Sequence, residues 1–217
     1  NFNDDISNWD VSNVTNMECM FYDAESFNQP LNNWVVSNVT NMEGMFFCAQ
    51  SFNQLINNWD VSNVTNMESM FFCAKSFNQP INNWYVSNVK NMAGMFANAN
   101  SFNQPINNWD VSNVTDMSYM FSRAHRFNQP INTEVITKDD GTTYIAWYVS
   151  NVKNMRYMFL EAYLFNQSLS NWDVSNVTDM DSMFNGAESF NQPINTEEII
   201  KEDGTTYISW DVSNVTN

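Results

Sequence analysis

The feature that most constrains this chain is a six-residue phrase, W-x-V-S-N-V, that recurs eight times from end to end. All eight tryptophans fall in it, and they are spaced by 25 residues except at two places, where the spacing is 38. All fourteen methionines stand in an M-x-x-M-F segment that follows the phrase. A fixed period of this length predicts one small structural unit per repeat, with each unit stacked on its neighbours.

Within one repeat, residues 56–80, the pattern predicts a strand followed by a short helix. The triplet W-D-V at residues 59–61 alternates apolar and polar side chains, as a strand with one buried face does. Apolar residues then follow at the i, i+3, i+4 and i+7 spacing of a helical face, namely Met67, Met70, Phe71 and Ala74. Thr65 and Glu68 match a capping box at the start of that helix. We therefore predict an α/β solenoid with one short parallel strand and one short helix or helical turn in each repeat.

The self-similarity covers the whole chain and predicts a single domain, 1–217, of about eight coils. One coil buries too few apolar side chains to offset the backbone entropy of about 25 residues, so we expect stability to come from stacking. Because the chain opens in mid-repeat at Asn1 and stops in mid-repeat at Asn217, two residues after the last phrase, we expect it to be a piece of a longer array.

The two long spacings come from insertions at residues 133–146 and 196–209. Each insertion has a β-prone run, a D-G pair and a second β-prone run, which predicts a β-hairpin with Gly141 or Gly204 in a left-handed conformation. Insertions on one side of a repeat array often bind partners. The alternative is that they brace the array or pack against another copy.

One asparagine stands at the same place in every phrase. Six of the eight head an N-V-T sequon, which a secreted chain could carry as a glycosylation site. We favour a buried structural ladder that satisfies backbone groups left unpaired at a sharp bend. Its members are Asn13, Asn38, Asn63, Asn88, Asn113, Asn151, Asn176 and Asn214.

The repeat resembles the 25-residue unit of mycoplasma-type surface lipoproteins and the wider group of BspA-like leucine-rich-repeat proteins. The resemblance rests on W-x-V-S-N-V-T-N-M, on M-F and on F-N-Q-P, and it covers the chain outside the insertions. It implies a leucine-rich-repeat-like right-handed coil and a surface protein engaged in adhesion or recognition. The two insertions depart from the resemblance, which does not by itself predict a membrane anchor for this chain.

The residue after each tryptophan is a candidate for binding. Acids and tyrosines alternate there between Asp60 and Asp173, and tyrosine is an effective interface residue. With one tyrosine from each insertion, the candidate partner-binding residues are Asp60, Tyr85, Asp110, Tyr148, Asp173, Tyr144 and Tyr207. The alternative is a solvated face that only avoids stacking like charges. Calcium at Asp173 and Asp211 is a further possibility, although no EF-hand loop is present.

The composition of the chain argues against several classes of partner and of chemistry. The net charge of −16 and the lack of a basic cluster argue against nucleic acid, and no apolar run is long enough to span a membrane. The single histidine, His125, occupies a surface position, and no catalytic set, metal cluster or phosphate loop is apparent. We expect no enzyme activity and no cofactor.

Of the three cysteines, Cys48 and Cys73 share a repeat position, so they are either two free thiols or a bridge between adjacent coils.

These observations predict a non-enzymatic recognition or adhesion module on an extracellular, cell or virion surface. It would present a strand face and the two hairpins to a protein or glycan partner. The alternative is a structural spacer, fibre or shell component that assembles with itself through its hairpins or open ends.

Overall fold

The computed structural model describes residues 2–200 and 204–217, and within them the chain forms four short strands and no helix. The strands are β1 at Glu134–Thr137, β2 at Thr143–Ala146, β3 at Glu198–Ile200 and β4 at Thr206–Ile208. They pair antiparallel in two separate two-stranded sheets, β1 with β2 and β3 with β4. The rest of the described chain is a stack of turn-built repeats joined by isolated parallel bridges at Asn16, Asn41, Asn66, Asn91, Asp116, Asn154 and Asp179.

The predicted α/β solenoid, a leucine-rich-repeat-like right-handed coil with a parallel strand and a helix in each repeat, is therefore wrong. Residues 67–74 form tight turns, because alternate amide groups bond to the next repeat. The Phe71 N–H donates to the Met95 carbonyl at 2.9 Å, while the Met70 N–H returns to the Met67 carbonyl at 3.2 Å. Ser69 has φ +53°, as the third residue of a type II turn requires. Successive turns thus produce the apolar spacing of three and four that resembled a helix.

The predicted capping box is absent for the same reason. The Thr65 hydroxyl donates to the Thr40 carbonyl at 3.2 Å, and Glu68 Oε2 accepts from the Asn91 amide at 2.7 Å. The Glu68 N–H bonds to Asn66 Oδ1 at 3.0 Å. Both side chains therefore join neighbouring repeats instead of closing a helical turn.

The W-D-V triplet forms turns where a strand was expected. The Trp59 N–H bonds to the Ile56 carbonyl at 3.2 Å, and Asp60 Oδ1 accepts from the Ser62 N–H at 3.1 Å. The Trp59 indole donates to the Leu31 carbonyl of the preceding repeat at 3.1 Å. A side chain therefore makes the contact between repeats that a strand would make through its backbone.

Tryptophan, methionine and phenylalanine side chains of successive repeats form one buried cluster, which confirms the predicted apolar core. The rings stack between repeats: Phe46 and Phe71 lie 5.5 Å apart between centroids, and Trp59 and Trp84 lie 6.4 Å apart. Trp9 is the exception among the tryptophans, with 55% of its surface exposed.

The asparagines of the phrase line one row in which seven side-chain amides donate to a serine carbonyl of the preceding repeat. The distances are 2.7 to 2.8 Å for Asn38, Asn63, Asn88, Asn113, Asn151, Asn176 and Asn214. All eight asparagines, Asn13 included, are exposed rather than buried. The row therefore satisfies backbone groups at the surface.

Both insertions form hairpins. In the first, Ile136 faces Tyr144 across the sheet and Gly141 has φ +83°. Gly204 has φ +81° in the second, whereas the Asp203 half of that D-G pair lies outside the described residues. The second hairpin repeats the first, with Ile199 opposite Tyr207.

The three cysteines are free thiols. Cys48 and Cys73 occupy the same position in neighbouring repeats. Burial, followed by the contact with Cys73, raises the pKa of the Cys48 thiol to about 12. The thiol therefore stays protonated at neutral pH.

Candidate recognition groove

The first hairpin is fastened over the repeats that precede it. The Tyr144 hydroxyl donates a hydrogen bond to the backbone carbonyl of Asn108, 36 residues earlier. At the hairpin base, the Thr133 hydroxyl donates to the Trp147 carbonyl at 2.9 Å. The hairpin consequently leans toward the N-terminal part of the stack.

This lean encloses an open groove of about 660 Å³, which we call the recognition groove. It brings together Tyr85, Asp110 and Tyr144, which come from two repeats and the hairpin. The hairpin also contributes Ile136, Lys138, Asp139 and Asp140, and the turns of the stack contribute Asn82, Asn83 and Asn108. Aromatic faces, carboxylates and amides therefore converge from distant parts of the sequence.

The second hairpin builds the same constellation 63 residues later, from Tyr148, Asp173 and Tyr207. Tyr207 donates to the Asn171 carbonyl, as Tyr144 does to that of Asn108. We call this second constellation the closed constellation, because the rings of Tyr148 and Tyr207 meet edge to face at 6.3 Å and Asp173 is only 6% exposed; its two tyrosines border a space of about 370 Å³. In the recognition groove, by contrast, Tyr85 is 69% exposed.

A smaller space of about 370 Å³ separates the two hairpins. Val135 and Ile145 of the first hairpin face Ile199 and Ile200 of the second across it. The first hairpin therefore borders both spaces, and only the recognition groove lacks a hairpin on its N-terminal side.

The recognition groove is acidic. Asp110, Asp139 and Asp140 supply three carboxylates against the one ammonium group of Lys138. Hydrogen bonds from the Thr142 hydroxyl and amide lower the pKa of Asp140, and nearby Lys138 lowers it further. Burial raises the pKa of Tyr144, and the charge of Asp110 adds to this effect. At neutral pH the groove thus contains an ionised Asp140 and a neutral Tyr144.

The structure brings most of the candidate binding residues together, but in two groups. Tyr85, Asp110 and Tyr144 line the recognition groove. Tyr148, Asp173 and Tyr207 form the closed constellation, where Asp173 Oδ1 accepts from Ser175 and Oδ2 from Tyr148. Asp60 lies outside both groups, is exposed and bonds to Ser62.

Sequence reasoning missed the acidic tip of the first hairpin. Lys138, Asp139 and Asp140 look like ordinary turn residues, because nothing local indicates which way the hairpin leans. The one available signal was the matched spacing of 36 residues from Asn108 to Tyr144 and from Asn171 to Tyr207.

In residues 2–200 and 204–217 no three His, Cys, Asp or Glu side chains are grouped so that they could hold a metal ion. Asp173, half of the pair considered for calcium, has both carboxylate oxygens engaged by Ser175 and Tyr148. The described part of the chain also contains no helix able to cross a membrane.

Comparison with known proteins gives one match. The family described as "Mycoplasma protein of unknown function, DUF285" matches residues 1–75, 53–145 and 136–217, which together cover the chain. The mycoplasma part of the resemblance is thereby confirmed, whereas the likeness to BspA-like leucine-rich-repeat proteins stays a prediction. No curated protein and no solved structure matches.

Proposed function

The chain belongs to the DUF285 family of Mycoplasma proteins of unknown function, and from this premise we propose that it is a non-enzymatic module that recognises a protein or glycan partner. The partner would bind in the recognition groove and contact the first hairpin. The module would act outside the cell, on the surface of a cell or of a virion.

One observation carries the proposal: Tyr85, Asp110 and Tyr144 converge on an open space of about 660 Å³. Binding sites are concave and combine apolar or aromatic area with a few convergent polar groups. In the equivalent constellation the ring of Tyr148 meets that of Tyr207 and borders only the smaller space of about 370 Å³, which leaves Tyr85 as the more exposed tyrosine of the pair. An exposed tyrosine beside a carboxylate supports an interface role.

A glycan array and a peptide array, each probed with the labelled chain, test the proposal. We expect binding on one of the arrays that Tyr85→Ser and Asp110→Asn both weaken. Asp5→Asn is the matched control, because Asp5 is exposed, lies outside the groove and bonds to the amide two residues on, as Asp110 does. Binding that neither groove variant changes would overturn the proposal.

A second candidate function is self-assembly into a structural array. It is favoured by the apolar side chains that the two hairpins expose, with Ile200 72%, Val135 43% and Ile208 42% exposed. Hairpins of two copies could bury these side chains against each other. Light scattering over a wide range of concentrations tests it: growth with concentration, reduced by Ile200→Ser, is expected, and a monomer throughout would exclude it.

A further inference from the structure

We infer that the ligand of the recognition groove is a lysine or arginine side chain of a partner protein. The inference rests on the proposed function and specifies the chemistry of the same groove. It depends on a cation already in place, on the charge of the walls and on the hydrogen bonds that remain available.

The chain places its own ammonium group in the groove. Lys138 Nζ lies over the ring of Tyr144, 5.4 Å from the centroid. A cation within about 6 Å of an aromatic face is attracted by the ring quadrupole. Lys138 therefore marks a position where an ammonium or guanidinium group is favoured, and a ligand cation would compete with it.

The walls of the groove favour the same charge. Three carboxylates, Asp110, Asp139 and Asp140, line the same groove, and the whole chain carries a net charge of −16. A cationic segment is attracted over long range and held at short range, whereas an anionic ligand is repelled.

The Asp110 carboxylate offers a ligand one acceptor oxygen, and Tyr144 offers the face of its ring. The Tyr144 hydroxyl already donates to Asn108, so this residue offers chiefly its ring face. Asp110 Oδ1 accepts from the Ser112 amide and hydroxyl, while no hydrogen bond from the described part of the chain engages Oδ2. At the closed constellation, the corresponding oxygen of Asp173 accepts from Tyr148. An ammonium or guanidinium group, which only donates, can bond to this Asp110 oxygen and lie against the neighbouring aromatic rings.

Calorimetric titration of the whole chain with a pentalysine peptide tests the inference. The same peptide with every amine acetylated is the neutral arm, and a neutral oligosaccharide of N-acetylglucosamine is the glycan arm. We expect pentalysine to bind and the acetylated peptide not to bind. Asp110→Asn and Tyr85→Ala should each weaken binding about threefold to fivefold, as for an exposed ion pair or cation–π contact.

Two matched controls separate a site from general attraction to an acidic protein. Asp5→Asn makes the same charge change as Asp110→Asn outside the groove, and Lys75→Met makes the same change as Lys138→Met on an exposed lysine that bonds to Gln50. We expect Lys138→Met to tighten pentalysine binding more than Lys75→Met does, because it removes the competing ammonium group from Tyr144.

Equal effects of the groove variants and their controls would overturn the inference, and so would absence of pentalysine binding. Binding of the oligosaccharide alone, lost in Tyr85→Ala, would overturn the inference and leave the proposed function standing. A different result would overturn the proposed function: binding to the glycan and peptide arrays that neither Tyr85→Ser nor Asp110→Asn weakens.

Discussion

The hydroxyl of Tyr207 donates a hydrogen bond to the backbone carbonyl of Asn171, which precedes the tryptophan of the repeat before the second hairpin. Tyr144 and Asn108 repeat the relationship in the first hairpin. These phenols hold the hairpins against the stack. The tyrosines of the insertions are therefore anchors, and the partner would meet mainly their ring faces.

The anchoring role predicts a stability loss when the donor is removed. Tyr207→Phe keeps the ring and leaves the Asn171 carbonyl without its partner, which should cost about 1 kcal/mol of unfolding free energy. Urea denaturation measures the loss. Tyr85→Phe is the matched control, because Tyr85 is 69% exposed, and it should change the unfolding free energy by less than about 0.5 kcal/mol. Equal losses of unfolding free energy in the two variants would contradict the anchoring role of the Tyr207 hydroxyl.

The same tyrosine predicts a pH dependence. Burial, followed by the charges of Asp173 and Tyr148, raises the pKa of Tyr207 from 10.0 to about 12. Since the folded state holds the proton more tightly than the unfolded state, this contribution to stability is complete below pH 10 and is lost as the pH rises through about 12. Phenolate absorbance during an alkaline titration should show a late-ionising tyrosine that Tyr207→Phe removes. If Tyr207→Phe instead removed a tyrosine that ionises near pH 10.0, the raised pKa of Tyr207 would be contradicted.

The indole ladder predicts a large difference between two tryptophans. Trp172 is fully buried and its Nε1 donates to the Ile131 carbonyl at 2.8 Å, whereas Trp9 is 55% exposed. Trp172→Phe leaves both a cavity and a buried carbonyl without a partner, which together should cost about 3 kcal/mol of unfolding free energy. Trp9→Phe should cost less than about 0.5 kcal/mol. Chemical denaturation of both variants decides the point, and similar losses would contradict the ladder.

The turn at Ser69 predicts opposite effects of two exchanges at the same repeat position. Ser69 has φ +53° and Gly94 has φ +62°. Ser69→Gly relieves a left-handed conformation and should be neutral or stabilise by up to about 1 kcal/mol. Gly94→Ala should destabilise by about 1 kcal/mol, because its Cβ would lie 3.0 Å from the Ser69 hydroxyl. Paired thermal melts measure both effects. A higher melting temperature for Gly94→Ala would indicate a helix at this position, because alanine is more stable than glycine in a helix.

The stacking of the repeats and the hairpins could be predicted because each depends on local sequence. The spacing of Trp59 and Trp84 places equivalent side chains in neighbouring repeats, and the D-G pair at Gly141 specifies a reversal of the chain. The apolar core follows from the same period. All three features can be predicted without knowing which repeat accepts the hydrogen bond of a given backbone amide.

The helix could not be excluded on the same evidence. Met67, Met70 and Phe71 have a spacing that both an α-helix and a run of tight turns produce. What decides is the partner of the Phe71 N–H, and that partner is the Met95 carbonyl of the next repeat. Such a choice depends on contacts between repeats, which side-chain periodicity does not encode.

The recognition groove was only half predictable. Tyr85 and Asp110 follow from the repeat position, but the walls formed by Lys138 to Asp140 depend on the direction in which the hairpin leans. That direction is set by the bond between Tyr144 and Asn108, 36 residues apart. A sequence containing a single insertion would give no hint of it.

The central claim is that the first hairpin folds over the stack and joins Tyr144 to Tyr85 and Asp110. Nuclear Overhauser contacts of selectively labelled Tyr144 ring protons test this most directly. We expect contacts from that ring to Asn108 and Asp110 in the free chain. A Tyr144 ring with contacts only within its own hairpin would contradict the claim, and with it both the groove and the ligand proposed for it.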